Sequence, residues 1–206
     1  LGILLKEQGR VAAPIPLMHS AGVAALAIAE FGSDEMKSRL LRNIASGESI
    51  VAVALAAVAS FETTQPNVEA SKNGDDYSLT GTCSCVTALS LADAVLVPAQ
   101  TSDGVGLFLV DTKSEGVSIE AQTTTSFESQ AILNLSGVKV EAGNLLGEPT
   151  QTGSQVQWMV ERSWACICAL QWGIAEKQLE MLAEFSRNRK QFGQPIGAFQ
   201  AVSQRA

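Results

Sequence analysis

Three patterns of apolar and polar positions follow one another along the chain. The first is helical. Leu1–Gly9 reads as the end of a helix that the Pro14/Pro16 segment breaks, and Leu17–Phe31 is an Ala-rich helical run. Ser33 then caps a further helix, with Asp34 and Glu35 in its first turn and Arg39 and Arg42 later, an order the helix dipole favours. Gly47 ends it. From Ile50 to Gly147 short runs rich in Val, Leu and Thr are divided by turn signals at Lys72–Asp75, Ser102–Gly104 and Ser114–Gly116. Strands are predicted at Tyr77–Gly81, Cys83–Thr87, Ala94–Ala99, Gly106–Val110, Val117–Ala121 and Leu133–Val140. From Ser154 to Arg187 the helical period returns. Val156, Val160, Ser163, Ile167, Leu170, Ile174, Met181 and Phe185 form one stripe, on a helix of about 50 Å at 1.5 Å per residue. A helix of that length packs in a bundle. A Gly-X-Pro stop at Gly193–Pro195 ends the run, and another helix opens near Ala198.

These textures predict an α+β chain in three parts: the end of a helical domain over residues 1–49, a central β domain over 50–149, and the start of a second helical domain over 150–206. The 206 residues suffice for one large or two small domains. No apolar run reaches the roughly 18 residues of a membrane span, and no signal peptide is visible. A net charge of −7 argues against nucleic-acid or anionic-membrane partners, but not against an anion held by local donors. The four cysteines stand as two Cys-X-Cys pairs, Cys83/Cys85 and Cys166/Cys168. Neither pair has the Gly or Pro knuckles of a zinc site, so no metal is expected. Buried free thiols in a reducing, cytoplasmic compartment are the expectation. His19, the single histidine, lies in the Ala-rich run without a triad partner and reads as helix surface or packing.

Arg189-Lys190-Gln191-Phe192-Gly193-Gln194-Pro195-Ile196, followed by Phe199-Gln200, leaves an arginine and amides at a helix junction, where donors can converge on an anionic ligand. The run resembles the Arg-X-X-Phe-Gly…Phe-Gln signature of the acyl-CoA dehydrogenases. Family-like wording recurs at Leu40–Ile50 around Ile44–Glu48, at Ala92–Pro98, and from Val138–Val140 through Asn144–Glu148. The resemblance covers essentially the whole chain. It implies a helical N-terminal part, a central antiparallel β-barrel or sandwich domain, and a C-terminal helical bundle that is truncated here. The first N-terminal helices and the later bundle, with its Gln-X-X-Gly-Gly flavin loop, are expected to be missing, as in a fragment, a processed chain or one subunit of a composite enzyme.

The resemblance further implies an FAD-dependent enzyme that oxidises acyl-CoA thioesters to 2,3-enoyl-CoA, with electron-transferring flavoprotein as acceptor. Arg189, Gln191, Phe192 and Gln200 match positions that contact the flavin's diphosphate and adenine side across a subunit interface. Thr87, in Thr82–Thr87, matches a threonine that donates towards flavin N5, although Cys85 replaces the tryptophan that normally packs near the flavin. The family's Thr-Glu-Pro…Gly-Ser-Asp loop is eroded to Ala56–Thr64, without its proline and glycine. Glu161 is the expected general base. It shares a helix face with Trp158, Ala165, Cys168 and Trp172, has no Lys or Arg three or four residues away, and so is expected to face packing that raises its pKa. Glu161-Arg162 also resembles the Glu-Arg of the isovaleryl- and long-chain-type members. Retained interface residues beside an eroded loop resemble the heteromeric enzymes of steroid side-chain breakdown, in which two chains share a flavin site. A homo-oligomer and a non-catalytic subunit that stabilises its partner are the alternatives.

Overall fold

The structure is a computed structural model that describes residues 1–55, 66–125, 128–150 and 153–205. The chain divides into two compact units, Pro16–Trp164 and Leu1–Ile15 together with Ala165–Ala206.

The larger unit opens with a π-helical segment, Met18–Ala24, that runs into α2 (Ala25–Phe31); α1 (Gly2–Val11) belongs to the smaller unit. Helix α3 (Asp34–Ser46) is bounded as its residues predict. The Met36 N–H donates to Ser33 Oγ at 3.2 Å, and Gly47 closes the helix at φ 78°, its N–H donating to the Asn43 and Ile44 carbonyls.

Among the described residues eight strands form one sheet: β1 (Val51–Val53), β2 (Val68–Asn73), β3 (Asp76–Thr87), β4 (Ala94–Thr101), β5 (Gly104–Asp111), β6 (Val117–Gln122), β7 (Gln130–Val140) and β8 (Leu145–Thr150). Their order is β6-β7-β3-β2-β4-β5-β8, with β1 also on β4. Pairing is antiparallel except where β4 meets β1 and β2, which run parallel to it. The two runs expected at Tyr77–Gly81 and Cys83–Thr87 are one strand, β3, continuous through two register shifts.

Alternation assigns the sheet's faces. Val95, Val97, Phe108 and Val110 join Leu79, Leu133 and Val138 in one core, while Leu96, Leu107 and Leu109 face Val23, Ile28, Met36 and Met159 in another. The middle of the sheet is therefore buried on both sides, which is why β4 and β5 read as unbroken apolar runs.

The register shift between Cys83 and Val86 changes where the cysteines point. In a regular strand, positions two apart share a face. Here Cys85 adopts φ +55°, its N–H donates to Gln122 Oε1 at 2.8 Å, and its thiol is exposed while Cys83 is buried. Of the helical pair, Cys166 is buried and Cys168 exposed, so the expectation of buried thiols holds for half of them. Burial pushes the Cys83 thiol up to about 11. At pH 8 that leaves about one part in 10³ as the reactive thiolate. Brief alkylation with iodoacetamide should accordingly mark Cys85 well before Cys83 in a peptide-resolved mass spectrum. Equal labelling of both would contradict the bulged geometry.

Helix α4 (Ser154–Asn188) matches the long helix predicted from the period. Within the larger unit its Val156, Met159 and Val160 are buried. Its later residues belong to the smaller unit, with α1 (Gly2–Val11), the hairpin β9 (Lys190–Gln191) and β10 (Gln194–Pro195), and α5 (Gln200–Ser203). There the stripe read as a packing face is largely open: Ile167, Met181 and Phe185 are exposed, as are Trp172 and Leu179.

Charges fix α1 on this part of α4. Lys6 meets Glu176 at 2.9 Å, and Arg10 meets Glu176 and Glu180 at 2.8 Å each. Lys6 first, then Arg10, holds the Glu176 carboxyl below the usual carboxylate range. With the folded pKa depressed, this contribution is present above the ordinary carboxylate pKa and is lost as pH falls through the depressed value.

Candidate active site

The larger unit contains a cleft of about 220 Å³ lined by Met18, His19, Val23, Val53, Leu55, Cys85, Thr87 and Ser163. The π-helical segment supplies the first three, the end of β1 and its continuation the next two, the bulged end of β3 the cysteine and threonine, and α4 the serine. Thr87 is the one residue of the sequence-predicted set found here. His19 and Ser163 were not singled out for this cleft, and no local signal marks either, because the π-helical turn that aims His19 has no motif of its own. Burial lowers the His19 pKa, and Glu128 only partly opposes that, so the imidazole is neutral at pH 7. The eroded loop at Ala56–Thr64 lies outside the described residues.

Glu161 departs from its expected surroundings. Its side chain is 51% exposed, with the Arg162 guanidinium 3.4 Å away and the Gln157 amide donating to it at 3.3 Å. Trp158, read as part of an apolar wall around this carboxylate, instead lies under Arg162, whose guanidinium carbon is 4.0 Å from the ring centroid, and packs edge-on against Phe31 at 5.2 Å. Ala165, Cys168 and Trp172, the other members of that wall, are exposed. The neighbour that matters is one residue away: Arg162, adjacent in sequence, reaches back to the carboxylate.

In the smaller unit the signature residues form a two-residue hairpin. Gln191 pairs with Gln194 across Phe192 and Gly193, both with positive φ, +52° and +83°. These are the values of a type I′ turn, which a phenylalanine adopts only with strain. Phe192 is 93% exposed, with Phe199 edge-on to it at a centroid distance of 6.3 Å. Arg189, Gln191 and Gln200 are exposed around the hairpin. The donor chemistry suits a diphosphate: a guanidinium gives paired N–H donors to phosphate oxygens, and the amides add neutral ones. Arg189, Gln191, Phe192 and Gln200 thus share one unit, whereas Thr87 and Glu161 belong to the other. Among the described residues no group of three or more His, Cys, Asp or Glu could hold a metal, and no helix is long and apolar enough to cross a membrane.

Helices at both ends of the chain with, among the described residues, a mixed eight-stranded sheet between them in sequence and an exposed Arg-Gln-Phe hairpin make up an α+β architecture. The chain belongs to the acyl-CoA dehydrogenase family, which uses FAD. Residues 1–48 match the family described as Acyl-CoA dehydrogenase, N-terminal domain, and residues 153–206 match Acyl-CoA dehydrogenase, C-terminal domain. It is 39% identical to acyl-CoA dehydrogenase FadE27 of Mycobacterium tuberculosis, over 98% of this chain and 52% of that protein. Among solved structures it resembles the ChsE4-ChsE5 complex of the same organism, at TM-score 0.89 and 38% identity, over 99% of this chain and 54% of the matched one. It likewise resembles a variant of the Tcur3481-Tcur3483 steroid ACAD, at TM-score 0.86 and 36% identity, over 98% and 53%. The chain therefore spans about half the length of the relatives it matches.

Proposed function

We propose that this chain is a subunit of an FAD-dependent acyl-CoA dehydrogenase that carries out α,β-dehydrogenation of an acyl-CoA thioester at a flavin site shared with another subunit. The observation that carries this reading is the hairpin. Phe192 is 93% exposed on strained backbone, a state that persists where surroundings over-determine it and that clusters at ligand clamps. Arg189, Gln191 and Gln200 beside it supply donors for the diphosphate of a cofactor held largely by the partner.

Bound FAD supplies the hydride acceptor. On this chain Arg189 and the two amides, with Phe192 beside them, would bind and orient a flavin held by the partner subunit; separately, in the other unit, the Thr87 hydroxyl would be a donor towards a flavin ring. The Glu161 carboxylate takes the proton from the carbon α to the thioester. Likeness to the ChsE4-ChsE5 complex and to the Tcur3481-Tcur3483 steroid ACAD supports a heteromeric arrangement, and with it steroid degradation as the setting; electron-transferring flavoprotein is the acceptor that membership of the family implies.

Arg189→Met removes the one cation of the set that can engage phosphate bidentately. In the native assembly stripped of flavin, it should weaken FAD rebinding tenfold or more, and the wild-type salt dependence should shrink with it. Unchanged FAD affinity would remove this residue from the site.

A second reading, a non-catalytic subunit that stabilises a catalytic partner, is favoured by one observation: Glu161 is exposed and beside Arg162 instead of desolvated. Turnover of the Glu161→Gln variant separates the two.

A further inference from the structure

Two groups of the larger unit compete for one guanidinium. The guanidinium carbon of Arg162 lies 4.0 Å from the Trp158 ring centroid, while its Nη1 is 3.4 Å from Glu161 Oε2. Trp158 precedes Arg162 by four positions on α4, the offset at which helical side chains lie over one another. Glu161 is adjacent in sequence and points about 100° away round the helix. The ring is itself held. Phe31 sets its edge against it at 5.2 Å, with 75° between the ring planes, and Trp158 packs on the core cluster that includes Ile28 and Met159. Trp158 is thus a fixed seat for a cation on a flexible stem.

The distances show which partner holds the cation. A guanidinium and a carboxylate that pair fully come to about 2.8 Å, often through two parallel N–H···O bonds. Here a single contact stops at 3.4 Å, about 0.6 Å short of that distance. A guanidinium stacked on a ring cannot also turn its planar fork onto both oxygens of a neighbouring carboxylate. At exposed positions a cation–π contact and an ion pair contribute similar amounts, so a rigid ring suffices to keep the cation back. The consequence falls on Glu161. Its other oxygen accepts from Gln157 only at 3.3 Å, so neither oxygen is committed to a short bond.

We propose that Trp158 is a positioning residue that keeps Arg162 from closing onto Glu161 and so leaves the carboxylate free to take the substrate proton. Its part in turnover rests on the dehydrogenase reading, in which Glu161 is the base; the holding contact does not. Without the ring, the guanidinium moves the remaining distance and engages the carboxylate. A carboxylate caught in that fork has lost both the freedom to turn and the lone pairs that the α-proton needs.

The first test reads the contact without reference to activity. In the native assembly, a water-soluble carbodiimide with glycine ethyl ester converts reachable carboxylates to amides, scored residue by residue by mass spectrometry, with exposed Glu141 as the internal reference. Trp158→Leu should slow labelling of Glu161 threefold or more, and adding Arg162→Met should restore the wild-type rate. Labelling that is equal in wild type and Trp158→Leu, at any level, overturns the proposal. So does slowing that persists without Arg162, which a general disturbance of packing would produce. Trp158→Met fills the space against Phe31 without a cation-binding face, and it carries the same predictions should the leucine variant fail to fold.

The second test reads turnover, with octanoyl-CoA and cholanoyl-CoA as substrates and ferrocenium as electron acceptor. Trp158→Leu should lower kcat about fivefold, the effect of losing one cation–π contact, with KM within twofold of wild type. Trp158→Phe, which keeps an aromatic face, should stay within twofold. In an Arg162→Met background the same Trp158→Leu change should alter kcat less than twofold. An equal fall in both backgrounds, or a loss carried by KM, overturns the positioning role. Absence of turnover in the wild-type assembly defeats the dehydrogenase reading instead, and the labelling result still decides whether Trp158 holds Arg162 off the carboxylate.

Discussion

Gly173→Val is expected to unseat α1 from α4 and destabilise the smaller unit by about 3–5 kcal/mol. A Cβ at Gly173 would run into the Lys6 carbonyl oxygen, and it would lie 2.8 Å from the Lys6 carbonyl carbon and 2.9 Å from the Arg10 nitrogen. From the other side, a Cβ at Gly9 would meet the Leu170 carbonyl oxygen, with the Leu170 Cα at 3.2 Å. These obstacles are backbone atoms, so no rotamer change relieves them. Two helices approach this closely only where both lack side chains. The effect can be told from ordinary helix propensity by its sign. Gly→Ala in a helix interior normally stabilises by up to about 1 kcal/mol, yet Gly173→Ala should destabilise. Gly2, whose added Cβ would meet nothing within 4 Å, is the control and should be neutral or slightly stabilised. Thermal unfolding and protease cleavage within Leu1–Ile15 read both effects. A Gly173→Val protein as stable and as protected as wild type would refute the close crossing.

Glu161→Gln is expected to lower turnover of the assembled enzyme by about 10³-fold, within the range general-base catalysis contributes. The amide matches the carboxylate in shape but cannot accept the α-proton, so flavin content and acyl-CoA affinity should stay within a few-fold of wild type. The carboxylate is not locked in place. Its contacts with Gln157, at 3.3 Å, and Arg162, at 3.4 Å, lie beyond the usual hydrogen-bonding range, which leaves it able to turn to a substrate. Turnover unchanged in Glu161→Gln would refute the base assignment and favour the partner-stabilising reading.

What could be read from the residues followed the range of the forces involved. Helix α3 was legible from end to end because its stops are local: a serine oxygen three residues from the N–H it caps, and a glycine at φ 78°. The long helix α4 was legible from its period. Strands β1, β2 and β8 went unpredicted for different reasons. Val51–Val53 is short and buried on both faces, so it shows no alternation, while Val68–Asn73 exposes Glu69, Ser71 and Lys72 and reads as loop. Leu145–Thr150 contains Gly147 and Pro149, which argue against a strand.

The site was legible as a set of residues more than as a geometry. Thr87 and the hairpin residues were named from the resemblance of their motifs to those of the family. The exposure of Phe192, the bulge that turns Cys85 outward and the π-helical turn that delivers His19 depend on backbone dihedrals that no side-chain pattern encodes. Glu161 shows a different limit. Apolar neighbours at helical offsets identify a face, but not what covers it. Trp172, eleven positions on from Glu161, is 61% exposed.

The measurement that bears most directly on the central claim is the visible absorption spectrum of the native purified assembly, with its chains identified by mass spectrometry. A flavin spectrum together with a second, different acyl-CoA dehydrogenase-type chain is the predicted result. An assembly that purifies without flavin would contradict the dehydrogenase reading, and flavin held by this chain alone would contradict the shared site.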